Sequence, residues 1–133
     1  MNDDSDTNNP LEDLYVSKDE VDFEQLRDGL SGVVQIIKET GEPRPQSDFE
    51  GLSNKQQFVA LMLYRRAAVE LGHLDKDEAG ASSGWFNEYI DVDSSRFSHY
   101  SSDLDFVEND SERGGYYIPG FDIGEAIDGI ENE

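Results

Sequence analysis

The 133-residue chain contains no cysteine and only four lysines, which are Lys18, Lys38, Lys55 and Lys76. The absence of cysteine excludes disulfide bonds, thiolate metal ligands and a cysteine nucleophile. Long apolar runs are also missing, since the longest, residues 58–64, is far shorter than the roughly 20 residues that span a bilayer. The first residues, MNDD, have neither the basic nor the apolar part of a secretory leader. We therefore expect a cytoplasmic protein without a membrane segment.

Acidic residues dominate the composition: 31 Asp and Glu stand against 10 Lys and Arg, which gives a net charge of −21. A disordered acidic chain has few apolar or aromatic residues, whereas 35% of this chain is hydrophobic and 11% is aromatic. We therefore expect a folded protein with acid spread over its surface. Such a surface repels itself in dilute buffer, and molar salt screens most of that repulsion. This composition is typical of an extreme halophile; the alternative is a mesophilic acidic protein with a basic partner.

The N-terminal part is predicted to contain an acidic tail (1–20), an amphipathic helix (22–39) and a linker (41–53). The tail is either disordered or forms a short docking turn at Leu11, Leu14, Tyr15 and Val16. Asp22 is a suitable N-cap, and Gly41 followed by prolines would end the helix. The face of this helix either covers the core of the domain or forms an interface, with a second copy as a homodimer or with another protein. The residues at helical spacing that make up this predicted interface are Phe23, Leu26, Leu30, Val33 and Ile37.

Residues 54–130 are predicted to be mainly helical, so that residues 21–133 form one domain. Ser53 or Asn54 caps a helix over 54–71, which is apolar on two sides, one of them ending at Leu71, and is therefore central to the core. A broken helix over 75–90, in which a loop precedes a short helix from Ser82 or Ser83, comes next. A helix over 95–108, a turn-rich stretch over 109–115, a strand over 116–118 and a final helix over 121–130 complete the chain.

Two segments resemble parts of the winged helix-turn-helix proteins of halophilic archaea. The segment DSSRFSHYSSDL (93–104) is similar to their third helix, where a polar start rich in serine and arginine precedes an Asp-Leu pair. The segment ERGGYYIPGF (112–121) is similar to their wing strand, where a Gly-Gly turn leads into an aromatic strand and a closing helix. The resemblance covers residues 54–130. It implies a mainly α fold with a small β-wing, preceded here by the amphipathic helix.

The resemblance also implies binding to double-stranded DNA, as in a transcriptional regulator. The major groove admits a helix whose exposed face carries small or polar side chains, and the first residues of a recognition helix meet the base edges. The wing turn would contact phosphate or the minor groove. The predicted nucleic-acid-binding residues are accordingly Ser95, Arg96, Ser98, His99, Ser102 and, at the wing turn, Arg113.

The charge of the same region argues against DNA, because residues 54–121 contain six Lys or Arg and twelve Asp or Glu. DNA-binding domains usually carry a basic face, although molar salt removes much of the gain from counterion release. One alternative is therefore a winged-helix module that binds protein without binding DNA. Another is an acidic mimic of DNA that binds a basic nuclease or repressor. Clustering of Arg65, Arg66, Arg96 and Arg113 on one face would favour DNA, and their dispersal would favour the protein-binding module.

Motifs of catalysis and of metal or cofactor binding are missing from the sequence. The glycines lack the spacing of a phosphate-binding loop, and His73 and His99 are not part of an HExxH pattern. The stretch from Asp91 begins like a calcium loop, but Arg96 and Ser102 stand where glycine and glutamate are required. We therefore expect a protein that is not an enzyme and that binds neither metal nor cofactor.

Overall fold

The computed structural model describes residues 9–131, which form six α-helices and two antiparallel β-hairpins. The helices are Phe23–Leu30 (α1), Ser47–Glu50 (α2), Asn54–Glu70 (α3), Ser83–Asn87 (α4), Ser95–Asp103 (α5) and Ile123–Glu131 (α6). The strands are Val34–Ile36 (β1), Pro43–Pro45 (β2), Glu108–Asp110 (β3) and Gly115–Tyr117 (β4). Helix predominates and the sheets are small, in agreement with the coarse fold class that the sequence predicts.

Helix α3 lies at the centre of the core. Its start is a capping box, in which the Ser53 hydroxyl accepts from the Gln56 N–H and the Gln56 side chain accepts from the Ser53 N–H, at 3.2 and 2.9 Å. Every residue from 58 to 66 is buried, which is possible only where neighbouring elements cover all sides of the helix. The prediction of a central helix over 54–71 is confirmed, and Gly72 follows it with a φ of +88°, as glycine after a helix end commonly does.

Aromatic rings pack on Phe58 of α3. The ring centroids of Phe86, Phe97 and Tyr116 lie 4.8, 5.2 and 5.6 Å from that of Phe58, which are favourable separations for aromatic pairs. These rings come from α4, α5 and β4, so Phe58 joins three elements that are distant in the sequence. Buried apolar residues of α1 and α6 belong to the same core.

The C-terminal hairpin pairs Asn109 with Tyr116, and the turn between its strands is the 3₁₀ helix Ser111–Arg113. Ala81 adds a one-residue bridge to Tyr116, with N–H···O distances of 3.1 and 2.9 Å. Residues 75–90 form a loop followed by the short helix α4, as predicted. Helix α5 begins where predicted but ends at Asp103 instead of continuing to residue 108, because the chain turns there to begin β3.

The predicted helix over 22–39 is wrong beyond Leu30. Gly32 takes a φ of +83°, a value that glycine adopts at little cost and that ends a helix. The β-branched residues of the VVQII stretch then extend as β1, which is the conformation they favour. The predicted linker over 41–53 is also wrong in part, since it contains β2 and α2, whose Phe49 is buried.

The predicted disordered tail lies partly outside the described residues, which begin at residue 9. From there on the structure shows local order, as the alternative of a short turn around Leu11 to Val16 predicts. Asn9 caps the 3₁₀ helix Pro10–Leu14, and the N–H of Phe121 donates to the carbonyl of Lys18 at 3.1 Å. The end of the predicted tail is therefore attached to the core.

The acidic side chains lie at the surface, as the composition predicts. Between residues 9 and 131 no carboxylate is buried, and the buried charged side chains are those of Arg65 and Arg66. Within the same range, no helix has the length and the apolar character that would let it cross a membrane.

Candidate functional site

An apolar groove of about 500 Å³ opens between α1, β1 and the end of α3. Leu26 and Leu30 of α1 contribute buried side chains to its lining, whereas Phe23 and Leu71 are 64% and 65% exposed. Exposed phenylalanine and leucine beside a concave apolar surface are what a binding site for another apolar group requires. Arg27 and Glu70 are the charged residues of the lining.

Three of the five predicted interface residues line this groove, namely Phe23, Leu26 and Leu30. Val33 is instead buried in the core, and Ile37 is half-buried after β1. The structure separates these two from the others because a strand replaces the second half of the predicted helix. Leu71, which helical periodicity assigns to a buried stripe of α3, lies in the groove and is exposed.

The five predicted DNA-contacting residues of α5 all lie on its exposed face, opposite the buried Phe97 and Tyr100. The hydroxyls of Ser98 and Ser102 donate to the carbonyls of Ser95 and Ser98, at 2.9 and 3.0 Å. Each of these two hydroxyls therefore retains lone pairs for a ligand and has already used its proton. The side chains left to donate outward from the middle of α5 are those of Arg96 and His99.

Carboxylates stand at both ends of α5. Asp93 accepts from the N–H and the hydroxyl of Ser95 at 3.0 Å, and these hydrogen bonds lower the pKa of the Asp93 carboxyl. Asp103, at the other end, pairs with Lys55 at 3.4 Å. The guanidinium of Arg96 lies 5.8 Å from the ring centre of Tyr100. The exposed face of α5 thus carries one arginine, Arg96, between the acidic residues Asp93 and Asp103. This differs from the basic face typical of DNA-binding domains.

The guanidinium of Arg113 is held by a carboxylate of the N-terminal segment. Its two terminal nitrogens donate to the two oxygens of Asp19 at 3.0 and 3.3 Å, the bidentate geometry that favours such pairs. The hydrogen bonds from Arg113 lower the pKa of the Asp19 carboxyl. The backbone of the same turn is also held, since the N–H of Gly80 donates to the carbonyl of Arg113 at 2.7 Å. The predicted contact of Arg113 with DNA would require it to leave Asp19.

Two arginines of α3 are buried. Arg65 donates to the carbonyl of Glu78 at 2.8 and 3.2 Å and lies 4.6 Å from the ring centre of Trp85. Arg66 lies 3.8 Å from the carboxylates of both Asp19 and Glu70, and its Nε and Nη2 make no hydrogen bond.

Arg66 and Arg113 therefore converge on Asp19, and we call these three residues the Asp19 clasp. Clustering of Arg65, Arg66, Arg96 and Arg113 would favour DNA binding over protein binding. Of these four arginines, Arg96 is the exposed one. Asp19 was not predicted as a functional residue, because no local pattern marks a residue of an acidic segment as the partner of arginines far along the chain.

Within residues 9–131, the acidic group with the dimensions of a metal site consists of Asp75, Asp77 and Glu78, whose oxygens lie within 4.8 Å of one another. All three side chains are exposed. The Glu78 carboxylate accepts from the N–H of Asp75 at 3.0 Å, as part of the capping box of the 3₁₀ helix Lys76–Glu78. Helix capping explains this arrangement without a metal ion.

Comparison of the chain with known protein families, with curated proteins and with solved structures returns no match. The binding properties of the groove, of the exposed face of α5 and of the Asp19 clasp are therefore inferred from the geometry and charge of these sites.

Proposed function

We propose that this protein is a protein-interaction module with a winged-helix-like core, and that the apolar groove is its binding site. The observation that carries the proposal is the pair of exposed side chains, Phe23 and Leu71, beside the buried Leu26 and Leu30. Large apolar side chains that fill a pocket supply most of the binding energy in protein interfaces. The partner is accordingly an apolar segment of a protein, bound by its side chains in the groove.

The order of elements from residue 54 onward supports the winged-helix part of the proposal. A long helix (α3) is followed by the bridge at Ala81, two short helices (α4 and α5), an antiparallel hairpin and a closing helix (α6). In this order α5 corresponds to the third helix of the family that the sequence resembles, and the β3–β4 hairpin corresponds to its wing.

The positions of the arginines support a protein partner over DNA. The guanidinium of Arg65 is bonded to the backbone, and those of Arg66 and Arg113 face Asp19. Moving one of the clasp arginines to a phosphate would leave a partly buried Asp19 with fewer partners, at a cost in free energy. The wing tip is thus committed to contacts inside the protein.

A photoreactive amino acid in place of Leu71 tests the groove directly. In native cells kept at their working salt concentration, we expect irradiation to join this position to an apolar segment of a protein, which mass spectrometry identifies. Adding Phe23→Ser removes an aromatic side chain from the groove and should lower the yield about tenfold, as loss of a binding hot spot does.

The matched control places the same photoreactive group at Ser102, which is exposed on α5 and does not line the groove. This position should give no adduct with the same protein. A Leu71 derivative that reacts with nothing but solvent, or a yield that Phe23→Ser leaves unchanged, would refute the proposed binding site.

DNA binding is the second candidate, favoured by the exposed Arg96 and His99 on a helix that precedes a hairpin. In that case fluorescence anisotropy in molar KCl should detect binding to genomic duplex fragments. The double variant Arg96→Gln/His99→Gln should abolish the signal, because it removes both outward donors. The control Arg44→Gln removes an exposed charge from β2 and should leave it intact. Absence of any binding by the parent protein would exclude this candidate.

A further inference from the structure

A short N-terminal arm, residues 10–16, is a second exposed apolar surface among the described residues. The exposed fractions of its four large apolar residues are 66% for Leu11, 76% for Leu14, 84% for Tyr15 and 61% for Val16. Apolar side chains concentrated in this way typically mark an interaction site. Between residues 9 and 131, six of the seven exposed large apolar residues lie on the arm or in the groove, and the seventh is Phe121.

The arm has a defined local structure. The Asn9 side chain accepts from the N–H of Leu11 at 3.0 Å, and the N–H of Tyr15 donates to the carbonyl of Glu12 at 3.1 Å. Residues three apart eclipse one another in a 3₁₀ helix, so Leu11 and Leu14 lie on one face. A segment that is already ordered loses less conformational freedom on binding than a flexible one.

The root of the arm is held on the body of the protein. The Lys18 ammonium pairs with Glu108 at 3.1 Å, and its carbonyl accepts from Phe121. Asp19 is held in the clasp. The backbone of residues 19 and 20 also packs so closely on Gly120 that a Cβ there would lie 2.6 Å from the carbonyl oxygen of Glu20. The arm therefore leaves the core at a fixed point, and its large apolar side chains are exposed among the described residues.

We infer that the arm of one copy occupies the groove of a second copy, and that the two copies exchange arms reciprocally. This inference rests on the proposed function, since it names the occupant of the groove. Reciprocal exchange uses both uncovered surfaces of each chain, and its twofold symmetry closes the assembly at two copies. Arg27 of the lining, whose partner within the chain is the neighbouring Asp28, can pair with Glu12 or Asp13, which lie between the two leucines of the arm; Glu70, the other charged residue of the lining, is at the end of α3.

Salt distinguishes this interface from one with a basic partner. Two chains that each carry a charge of −21 repel each other in dilute buffer, and molar salt screens that repulsion over distances beyond a few ångströms. The apolar contact between arm and groove does not depend on charge in this way. The dimer should therefore become more stable as KCl rises, whereas a complex held by ion pairs with a basic protein should weaken.

Sedimentation equilibrium of the full chain in molar KCl tests the exchange. We expect a dimer whose dissociation constant rises about tenfold or more in the arm variant Leu11→Ser/Leu14→Ser and in the groove variant Phe23→Ser/Leu71→Ser. The decisive step is to mix the two variants, with a fluorescent label on one of them. The groove variant has an intact arm and the arm variant has an intact groove. A mixed dimer with one working contact should therefore form at concentrations at which each variant alone is monomeric.

Recovery on mixing excludes misfolding as the reason for the loss, because a misfolded variant would not supply a working arm or groove. A mixture that remains monomeric, or a parent protein that is monomeric at every salt concentration, would overturn the inference. If the photoreactive Leu71 derivative then still joins a different protein, the proposed function stands and the exchange is wrong. An adduct between position 71 and the arm that has the mass of a single chain would show that each arm occupies its own groove, which also overturns the exchange.

Discussion

Gly115→Ala should destabilise the protein by about 3 kcal/mol or more, the sum of a strained backbone and an overpacked contact. Gly115 has a φ of +132°, and a Cβ built on it would lie 2.4 Å from the carbonyl oxygen of Ala81 and 2.7 Å from its carbonyl carbon. That carbonyl accepts from Tyr116 in the bridge that joins the hairpin to the segment before α4. The chain has no way to accept the methyl group without losing this bridge. Urea unfolding in molar KCl measures the effect.

Gly129→Ala provides the matched control, because it makes the same chemical change where the chain has room. Gly129 is exposed in α6, and no atom outside its own helix lies within 4 Å of a Cβ placed there. Alanine is the better helix former, by up to about 1 kcal/mol in a helix interior, so this variant should equal or exceed the parent in stability. A Gly115→Ala variant as stable as Gly129→Ala would mean that the hairpin does not approach Ala81 as closely as described.

Asp19→Asn should lower the free energy of unfolding by about 1–2 kcal/mol at neutral pH, because it removes the charge that faces a buried arginine. The range allows for solvent screening, since 38% of the Asp19 side chain is exposed while only 4% of Arg66 is. Asparagine has nearly the same shape but presents one donor where Arg113 needs an acceptor. Asp105→Asn, at an exposed carboxylate, is the control and should change stability by less than about 0.5 kcal/mol.

The effect of Asp19→Asn should depend on pH in a defined direction. The hydrogen bonds from Arg113 hold the pKa of the folded Asp19 carboxyl below its ordinary value, which is about 4 in an unfolded chain. The ionised carboxylate therefore stabilises the folded state at pH values above about 4, and this contribution disappears as the pH falls through the lowered pKa. The stability difference between parent and variant should shrink over that acidic range. A difference that stays constant down to the lowest pH would show that the clasp does not act through charge.

Local signals predicted those elements whose ends and faces are encoded nearby. Ser53, one of the two N-cap candidates, and the run of apolar residues after it located α3, and the Gly-Gly pair before Tyr116 located the strand β4. The strand β3, which pairs with β4, was not predicted. The helix predicted over the VVQII stretch was wrong, because the apolar residues of this stretch fit the spacing of a helical face as well as that of a strand. Its β-branched residues and the glycine at position 32 favour the strand. The helix prediction gave more weight to the helical spacing of the apolar residues than to these two features.

The site was predicted less completely than the fold. Phe23, Leu26 and Leu30 follow from helical spacing, so the part of the groove on α1 was foreseeable. Leu71 was not, because periodicity places it on an apolar stripe and cannot tell whether another element covers that stripe. Leu71 follows the last residue of α3, lines the groove and is 65% exposed.

Composition alone established that the chain carries a charge of −21, cannot form disulfides and has enough apolar residues to fold, because these properties are sums over residues and do not depend on their arrangement. Whether an arginine is free to bind, or an apolar side chain is covered, depends on pairs of residues that only folding brings together. Asp19 and Arg113 are 94 positions apart, and no local pattern connects them. Their pairing occupies the arginine at the turn of the C-terminal hairpin, on which the predicted DNA contact would have relied. The apolar groove is likewise created by α1, β1 and the end of α3 together.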